Sequence, residues 1–547
     1  MRGKSPMKVA VAATAIALFA AGCQTDSTPE APAAGGTIRV GSSEAAGLLP
    51  GFDDSPSIVV LRTIYAGLVE NDNNDGKVVN QIAQSITSDD NKTWTVKLKN
   101  NYKFHNGEAV NADSFINGWN YVAYGPNAQP NAPFFGSIVG WSDLQSEDPD
   151  GEEGPQKAPE PKAKTMSGLK KIDDFSFTVT LAEPFVGWPA TVGYSGFFPW
   201  AKACLADTKG CNETPIGNGP YKIEGSWRHN VGVTVVRNPD WAGASKGKPD
   251  KIEFKIYDKI DTGYADFEAG ELDIWDGVPP AKYKEAKGKY GERMFENPSN
   301  TFTYVGLPLY NDNFKEVKVR QALSLAIDRQ AIIDAVFDGR FSAAQGVISP
   351  NFEGYRPGAC ANCKYDAAKA KALLAEAGGW KGGKIVLWAN AGAGHDKWLQ
   401  AVGDGWKRDL GIDYELKVDL QFPQYLATGD AKKFTGPFRL GWGPDYAFLE
   451  TYITPLYSTT GSSNSSGYSN PELDKLIKDA AAAKSIADGI KFYQQAEDLV
   501  VRDIPVIPMW FGRTANVRSE NVKDYVYNKI HGTVYTEITL KDPNAVK

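Results

Sequence analysis

The chain has 547 residues, 42% hydrophobic and 23% charged, enough to bury more than one core. Its formal net charge of −7 comes without a basic cluster, which argues against a nucleic-acid partner. Fourteen tryptophans and 24 tyrosines supply aromatic surface both for cores and for pockets that take organic ligands.

Arg2, Lys4 and Lys8 form a basic region ahead of the apolar run Val9–Ala21. The run is short for a bilayer span and gives way at once to polar, Pro-rich sequence, so residues 1–22 read as a secretory signal. Ala20-Ala21-Gly22-Cys23 resembles a bacterial lipobox, with alanine where leucine usually stands. Lipidation of Cys23 is the expectation; ordinary signal cleavage beside an incidental cysteine is the alternative. Residues 23–35 read as a disordered tether.

Thr37–Val40 is expected to be a strand, and Thr93–Lys99 alternates with period two, as a half-buried strand does. Asn111-Ala-Asp-Ser has the form of an N-capped helix start. Residues 146–165 are acidic and Pro-rich and read as a surface insertion. Ser176–Leu181 and Val233–Arg237 return to strand patterning. Val319–Phe337 has apolar residues at helical spacing, Ala367–Ala377 is helical up to Gly378-Gly379, and Ile385–Trp388 is a strand. Pro471–Ala483 and Ile486–Val501 are helices. The class is mixed α/β.

Lipidation of Cys23 leaves Cys204, Cys211, Cys360 and Cys363, an even number that argues for two disulfides in an exported protein. Three connectivities are open, the local pairings Cys204–Cys211 and Cys360–Cys363 being the simplest. A redox or metal reading of Cys360-Ala-Asn-Cys363 lacks a second such pair and a nearby histidine. Catalytic motifs are mostly absent: no HExxH occurs, and His105, His229, His395 and His531 are far apart in sequence. Gly193-Tyr-Ser-Gly196 is followed by Phe197 and is no nucleophile elbow. The Gly378–Lys384 run has Ile385 where a phosphate loop needs Ser or Thr, and it joins helix to strand, the reverse of the required order.

Seven segments occur in a familiar order: Gly36–Val40, the Thr63–Leu68 helix, "KTWTVKLKNNYKFHNGEAVNADSF", "PIGNGPYKI", "VRQALSLAIDR", "YDAAKAKALLAEAG" and "YSNPELDKLI". Together they resemble the large extracytoplasmic solute-binding proteins of peptide/nickel-type ABC importers, and among them the oligopeptide- and dipeptide-binding lipoproteins. The resemblance implies an α/β, type II periplasmic-binding-protein fold of the large cluster, with two lobes about a hinged cleft and an extra domain. On this chain, lobe I would be residues 36–69, 172–299 and 509–547, the extra domain 70–171, and lobe II 300–508.

The resemblance also implies a function: capture of peptides and delivery to an ABC permease, by a lipid-anchored monomer on the extracytoplasmic face, with no cofactor, metal or catalysis. A non-peptide solute (nickel chelate, oligosaccharide, opine) is the alternative, and an extracytoplasmic enzyme or chaperone a further one. The implied site centres on "RLGWGPDY", residues 439–446. Asp445 matches the aspartate that receives a ligand's α-ammonium, Arg439 a guanidinium offered to its carboxylate, and Trp442 a pocket wall. Pairing of Arg439 and Asp445 with each other or with the loop backbone is the competing expectation. Ala447-Phe-Leu-Glu450 departs from the family's usual polar–acid–proline continuation. Ser55, Pro56 and Ser57 match an extended segment that pairs with bound peptide. Trp275, Asp276 and Tyr304 are further candidates, with core or hinge packing as the other reading.

Overall fold

The computed structural model describes residues 35–146 and 157–545. The expected signal, Cys23, nearly all of the tether and the middle of the acidic insertion lie outside the described residues. No helix among the described residues is long and apolar enough to cross a membrane.

One sheet runs through the body in the order Tyr221–Ile223, Gly232–Arg237, Lys251–Ile256, Thr37–Ser42, Ile274–Trp275, Val506–Arg518, Met294–Gly306, Phe438–Trp442, Ile385–Asn390 and Tyr414–Leu420. Thr37–Ser42 lies parallel to both Lys251–Ile256 and Ile274–Trp275. Ile385–Asn390 likewise lies parallel to its two neighbours. Two antiparallel strands of 13 residues each, Met294–Gly306 and Val506–Arg518, join these halves. Their ladder is interrupted: Pro298 faces Arg513, yet the next pair is Phe302 with Phe511. Three residues, Ser299 to Thr301, therefore oppose Gly512 alone. A Cβ on Gly512 would sit 2.3 Å from Ser299 Oγ, so any larger residue there would have to displace that hydroxyl. A bulge of this kind loosens the ladder where the chain passes between the halves.

The cores are separate. One is built around Trp388, Trp398, Trp406 and Tyr493, from residues 302–511 together with Val186 and Ala190. A second gathers Trp94, Trp119, Phe135 and Trp200. Ile38, Val40, Val235 and Phe254 fill a third, and Trp275 belongs to a fourth with Tyr264 and Phe267. In the second, Thr93–Leu98 buries alternate residues as its pattern requires, and it pairs with Ser176–Thr180. Ser176–Thr180 in turn pairs with Leu169–Asp173. The expected extra-domain edge at residue 171 falls inside that hairpin.

Local sequence explains most elements. Asn111 and Ser114 form a reciprocal capping box on the helix Ala112–Ala123. The expected single helix over 319–337 is two, Val317–Leu325 and Arg329–Phe337, because Asp328 accepts from Ala331 N at 3.1 Å and starts a new helix. The helix expected at Thr63–Leu68 is instead Ser55–Ile64. Cys204 is bonded to Cys211 and Cys360 to Cys363, with Cα atoms 5.2 and 5.3 Å apart.

Candidate functional site

The strand Phe438–Trp442 sits inside the sheet, between Ile385–Asn390 and Met294–Gly306. Its alternation buries Phe438 and Leu440 and turns Arg439 and Gly441 to the other face. A Cβ on Gly441 would stand 3.3 Å from Phe302 O and, at ordinary contact distance, 3.5 Å from Arg439 Nη2. After Trp442 the chain leaves the sheet through Gly443 and Pro444 and presents Asp445.

The loop is held from behind. Trp442 Nε1 donates to Thr451 O at 2.6 Å, and the Tyr446 hydroxyl donates to Glu450. Both partners belong to the helix Glu450–Tyr457. The next residue of that helix, Tyr452, donates to Asn300 O at 2.5 Å, at the strand interruption. Trp442 is thus a half-buried brace, and the loop carrying Asp445 is tied to the crossing between the lobes.

Arg439 and Asp445 do not pair. Among the described residues neither side chain makes a hydrogen bond or ion pair, and Arg439 Nε is buried without a partner. Burial pulls the Arg439 pKa down, against the opposing pull of the Tyr425 and Tyr304 phenols. Asp445 is pushed up to about 6, first by desolvation and then by the charge of Asp53. Its side chain keeps solvent contact, so the shift reflects crowding by the walls around it rather than full enclosure.

Two further groups face these charges. His395 begins the helix His395–Leu410, and its Nδ1 accepts from Trp398 Nε1 at 3.2 Å, which places the proton on Nε2. Burial, then the charge of Arg439, lowers its pKa to about 4, so the ring is neutral at pH 7. A cation, a neutral N–H donor and a helix N-terminus therefore meet on one side, a combination that favours an anion. On the other side stands Tyr194, whose phenol pKa is raised by burial and then by Asp445 and Asp53 together. Asp53 is exposed, and among the described residues it makes no hydrogen bond or ion pair. Asp445 and Asp53 make no ion pair among the described residues, and Arg62, which acts on Tyr194 in the opposite sense, stands behind the same wall.

The remaining candidates fall elsewhere. Ser55, Pro56 and Ser57 are not extended: they form the first turn of the helix Ser55–Ile64, where Asp54 accepts from Ser57 N at 3.0 Å. That carboxylate takes the very N–H a paired peptide would need. Trp275 is 6% exposed, packs edge-on to Tyr257 and donates to Gly277 O at 2.5 Å, so it is core. Asp276 accepts from Thr533 Oγ1 at 2.8 Å and from the Tyr535 hydroxyl, anchoring the C-terminal run. Tyr304 is 3% exposed, in the core beneath Arg439.

His395 and Asp53 were not singled out by sequence reasoning. The signal for His395 was a strand, Ile385–Asn390, followed by glycines 392 and 394 and a helix, which puts a helix N-terminus at a strand's C-terminal end. Among the described residues no group of three or more His, Cys, Asp or Glu is placed to hold a metal.

The family model "Bacterial extracellular solute-binding proteins, family 5 Middle" matches residues 77–464. The oligopeptide-binding protein OppA of Bacillus subtilis is 26% identical over 88% of this chain and 89% of its own length. The periplasmic murein peptide-binding protein MppA of Escherichia coli is 25% identical, covering 88% of each. Among solved structures, an unliganded open form of MppA matches with a TM-score of 0.81 at 24% identity, covering 92% of this chain and 97% of that one. Haemophilus influenzae OppA in complex with RPPGFSPFR matches at 0.64 and 22%, covering 93% and 99%.

Proposed function

Because the chain belongs to the bacterial extracellular solute-binding proteins of family 5, we propose that it captures peptides between its two lobes and delivers them to an ABC permease. The observation that carries this is the unpaired state of Asp445 and Arg439. A buried guanidinium without a partner is unfavourable in the ligand-free protein, and the energy is recovered when a carboxylate arrives. The α-ammonium of the peptide goes to Asp445, opposite Asp53, and its α-carboxylate to Arg439 and the Nε2–H of His395. A ligand lacking either charge leaves one side of this arrangement unmatched. The names of the relatives, oligopeptide- and murein peptide-binding, support a peptide over a nickel chelate, sugar or opine.

Residues near 299–301 and 512 form the hinge in this reading, and closure brings Asp53 toward the Asp445 loop. The better match to an open, unliganded relative than to a peptide-filled one supports an open resting state. Native mass spectrometry of protein purified without denaturation should show co-purifying peptides with free termini, and small-angle scattering should show compaction when they are added back. A non-peptide ligand, or an unchanged radius at saturation, would replace this reading. Acyl chains on Cys23 hold the monomer at the membrane; Cys23→Ser should then move the protein to the soluble fraction, and membrane retention of that variant would remove the lipid from the account.

A further inference from the structure

A cavity of about 460 Å³ lies apart from the "RLGWGPDY" loop. Its walls are one face of the helix Ser55–Ile64, the Val69–Asn80 hairpin, the Trp241–Gly247 loop and the run Asn528–Glu537. No residue between 248 and 527 lines it, so lobe II as bounded above contributes nothing.

The cavity holds charges of both signs that do not pair. Arg62 Nη2 donates to Gly193 O at 3.3 Å, while its Nε is buried without a partner. Desolvation brings its pKa down to about 10. Among the described residues Glu70 accepts only from Gln81 Nε2, at 2.8 Å, and no cation comes within ion-pair distance of it. Its pKa is raised, chiefly by desolvation, with Lys99 and Arg62 acting against that and Asp72 and Glu537 adding to it. Lys99 Nζ donates to a carbonyl, Gln81 O, at 2.6 Å. Other opposite charges on this chain do pair, as Arg39 with Asp273 at 3.0 Å and Arg237 with Asp250 at 2.8 Å.

A purely anionic guest would meet Asp72, Glu70 and Glu537, and a purely cationic one Arg62 and Lys99. A guest carrying both charges satisfies both walls. Tyr65, Tyr102, Phe198 and Trp241 add an apolar side, and the volume suits a molecule of amino-acid to dipeptide size. We propose that this cavity is a second binding site, for a small zwitterion of the amino-acid type, with its carboxylate on Arg62 and its ammonium on Glu70. The site also touches the hinge. Asn528 Nδ2 donates to Asn71 O and Asn73 Oδ1, both at 2.9 Å, and the neighbouring Lys529 O accepts from Asn300 Nδ2 at 3.0 Å. Occupancy would thereby stiffen the run that borders the strand interruption.

The test is calorimetry on the full chain with L-phenylalanine, phenethylamine and 3-phenylpropionate as probes. Phenylalanine should bind wild type and Asp445→Asn alike, and each singly charged analogue should bind at least about tenfold more weakly. Arg62→Gln and Glu70→Gln should each weaken phenylalanine by at least about tenfold. Glu70 is exposed, so its variant keeps the test valid if the buried Arg62 change impairs folding. No binding by phenylalanine, equal binding of the analogues, or binding lost in Asp445→Asn and kept in Glu70→Gln would each overturn the proposal.

Discussion

Two arginines in the same lobe show how one side chain serves opposite ends. Arg329 is 3% exposed, and its guanidinium is saturated: Nε donates to Pro508 O, Nη1 to Ser324 O, Ile327 O and Cys363 O, and Nη2 to Ser324 Oγ. Arg439 is half-buried, burial also lowers its pKa, and among the described residues it has no protein acceptor. The direction of the pKa shift thus fails to separate them; the count of acceptors does. Arg329 gathers carbonyls from the end of one helix, the disulfide turn and a long strand, so it holds the lobe together. Arg439 has no acceptor among the described residues, and the proposed ligand carboxylate would supply one.

The largest effect on stability should therefore come from Arg329, whose donors are all used inside the protein. Arg329→Met leaves several buried carbonyls unsatisfied and should cost at least about 4 kcal/mol of stability. Arg439→Met removes a desolvated cation without orphaning an acceptor, so stability should hold or rise by up to about 1 kcal/mol. Chemical denaturation of both variants measures this. Equal losses would mean that Arg439 is structural.

Affinity should reverse the order. Truncating one partner of a desolvated, hydrogen-bonded charge pair costs about 2–5 kcal/mol, or roughly 30- to several-thousand-fold in Kd. Asp445→Asn should lose that much for a free-amino peptide. N-acetylation should hurt wild type similarly and the variant far less, since both changes remove one interaction. C-terminal amidation paired with Arg439→Met should couple in the same way, by about 1.5–3 kcal/mol. Additive losses in either cycle would detach that residue from the peptide's terminus.

The same contrast explains what was legible in the sequence. The α/β class and the two-lobe fold followed from collinear segments and from period-two runs such as Thr93–Lys99, because those patterns are local. The Asp445 loop was legible because glycine, proline and a charge sit together within eight residues. Asp54-Ser-Pro-Ser was misread, since Asp followed by Pro two residues on suits an extended run and an N-capped helix equally; only the Asp54–Ser57 contact decides. Trp275 resembles a pocket residue until its neighbours Tyr257 and Tyr264 enclose it. His395 and Asp53 lie 44 and 392 residues from Arg439 and Asp445 respectively, and only tertiary structure places their charges together.

The smallest effect concerns protons. The Asp445 pKa is about 6 in the folded chain against 3.8 for the ordinary carboxyl, so the folded state binds its proton more tightly. Between those values stability falls as pH rises, because the native state gives up a proton that the unfolded state has already lost. At pH 7 ionised Asp445 is therefore a mild liability in the ligand-free protein. Solvent contact limits it to less than about 1 kcal/mol. His105 and His395, both held at about 4 mainly by burial, have the opposite dependence over an overlapping window: each favours the fold above its unfolded pKa of 6.5 less and less as pH drops. Only the difference between wild type and Asp445→Asn isolates the carboxylate. That variant should be slightly more stable than wild type at pH 7 and lose the advantage by pH 4. For wild type, affinity for a free-amino peptide should fall below pH 6 as Asp445 is protonated, approaching about tenfold per pH unit. A variant equal to wild type across this range would place Asp445 in open solvent, away from Asp53 and from any enclosed ammonium.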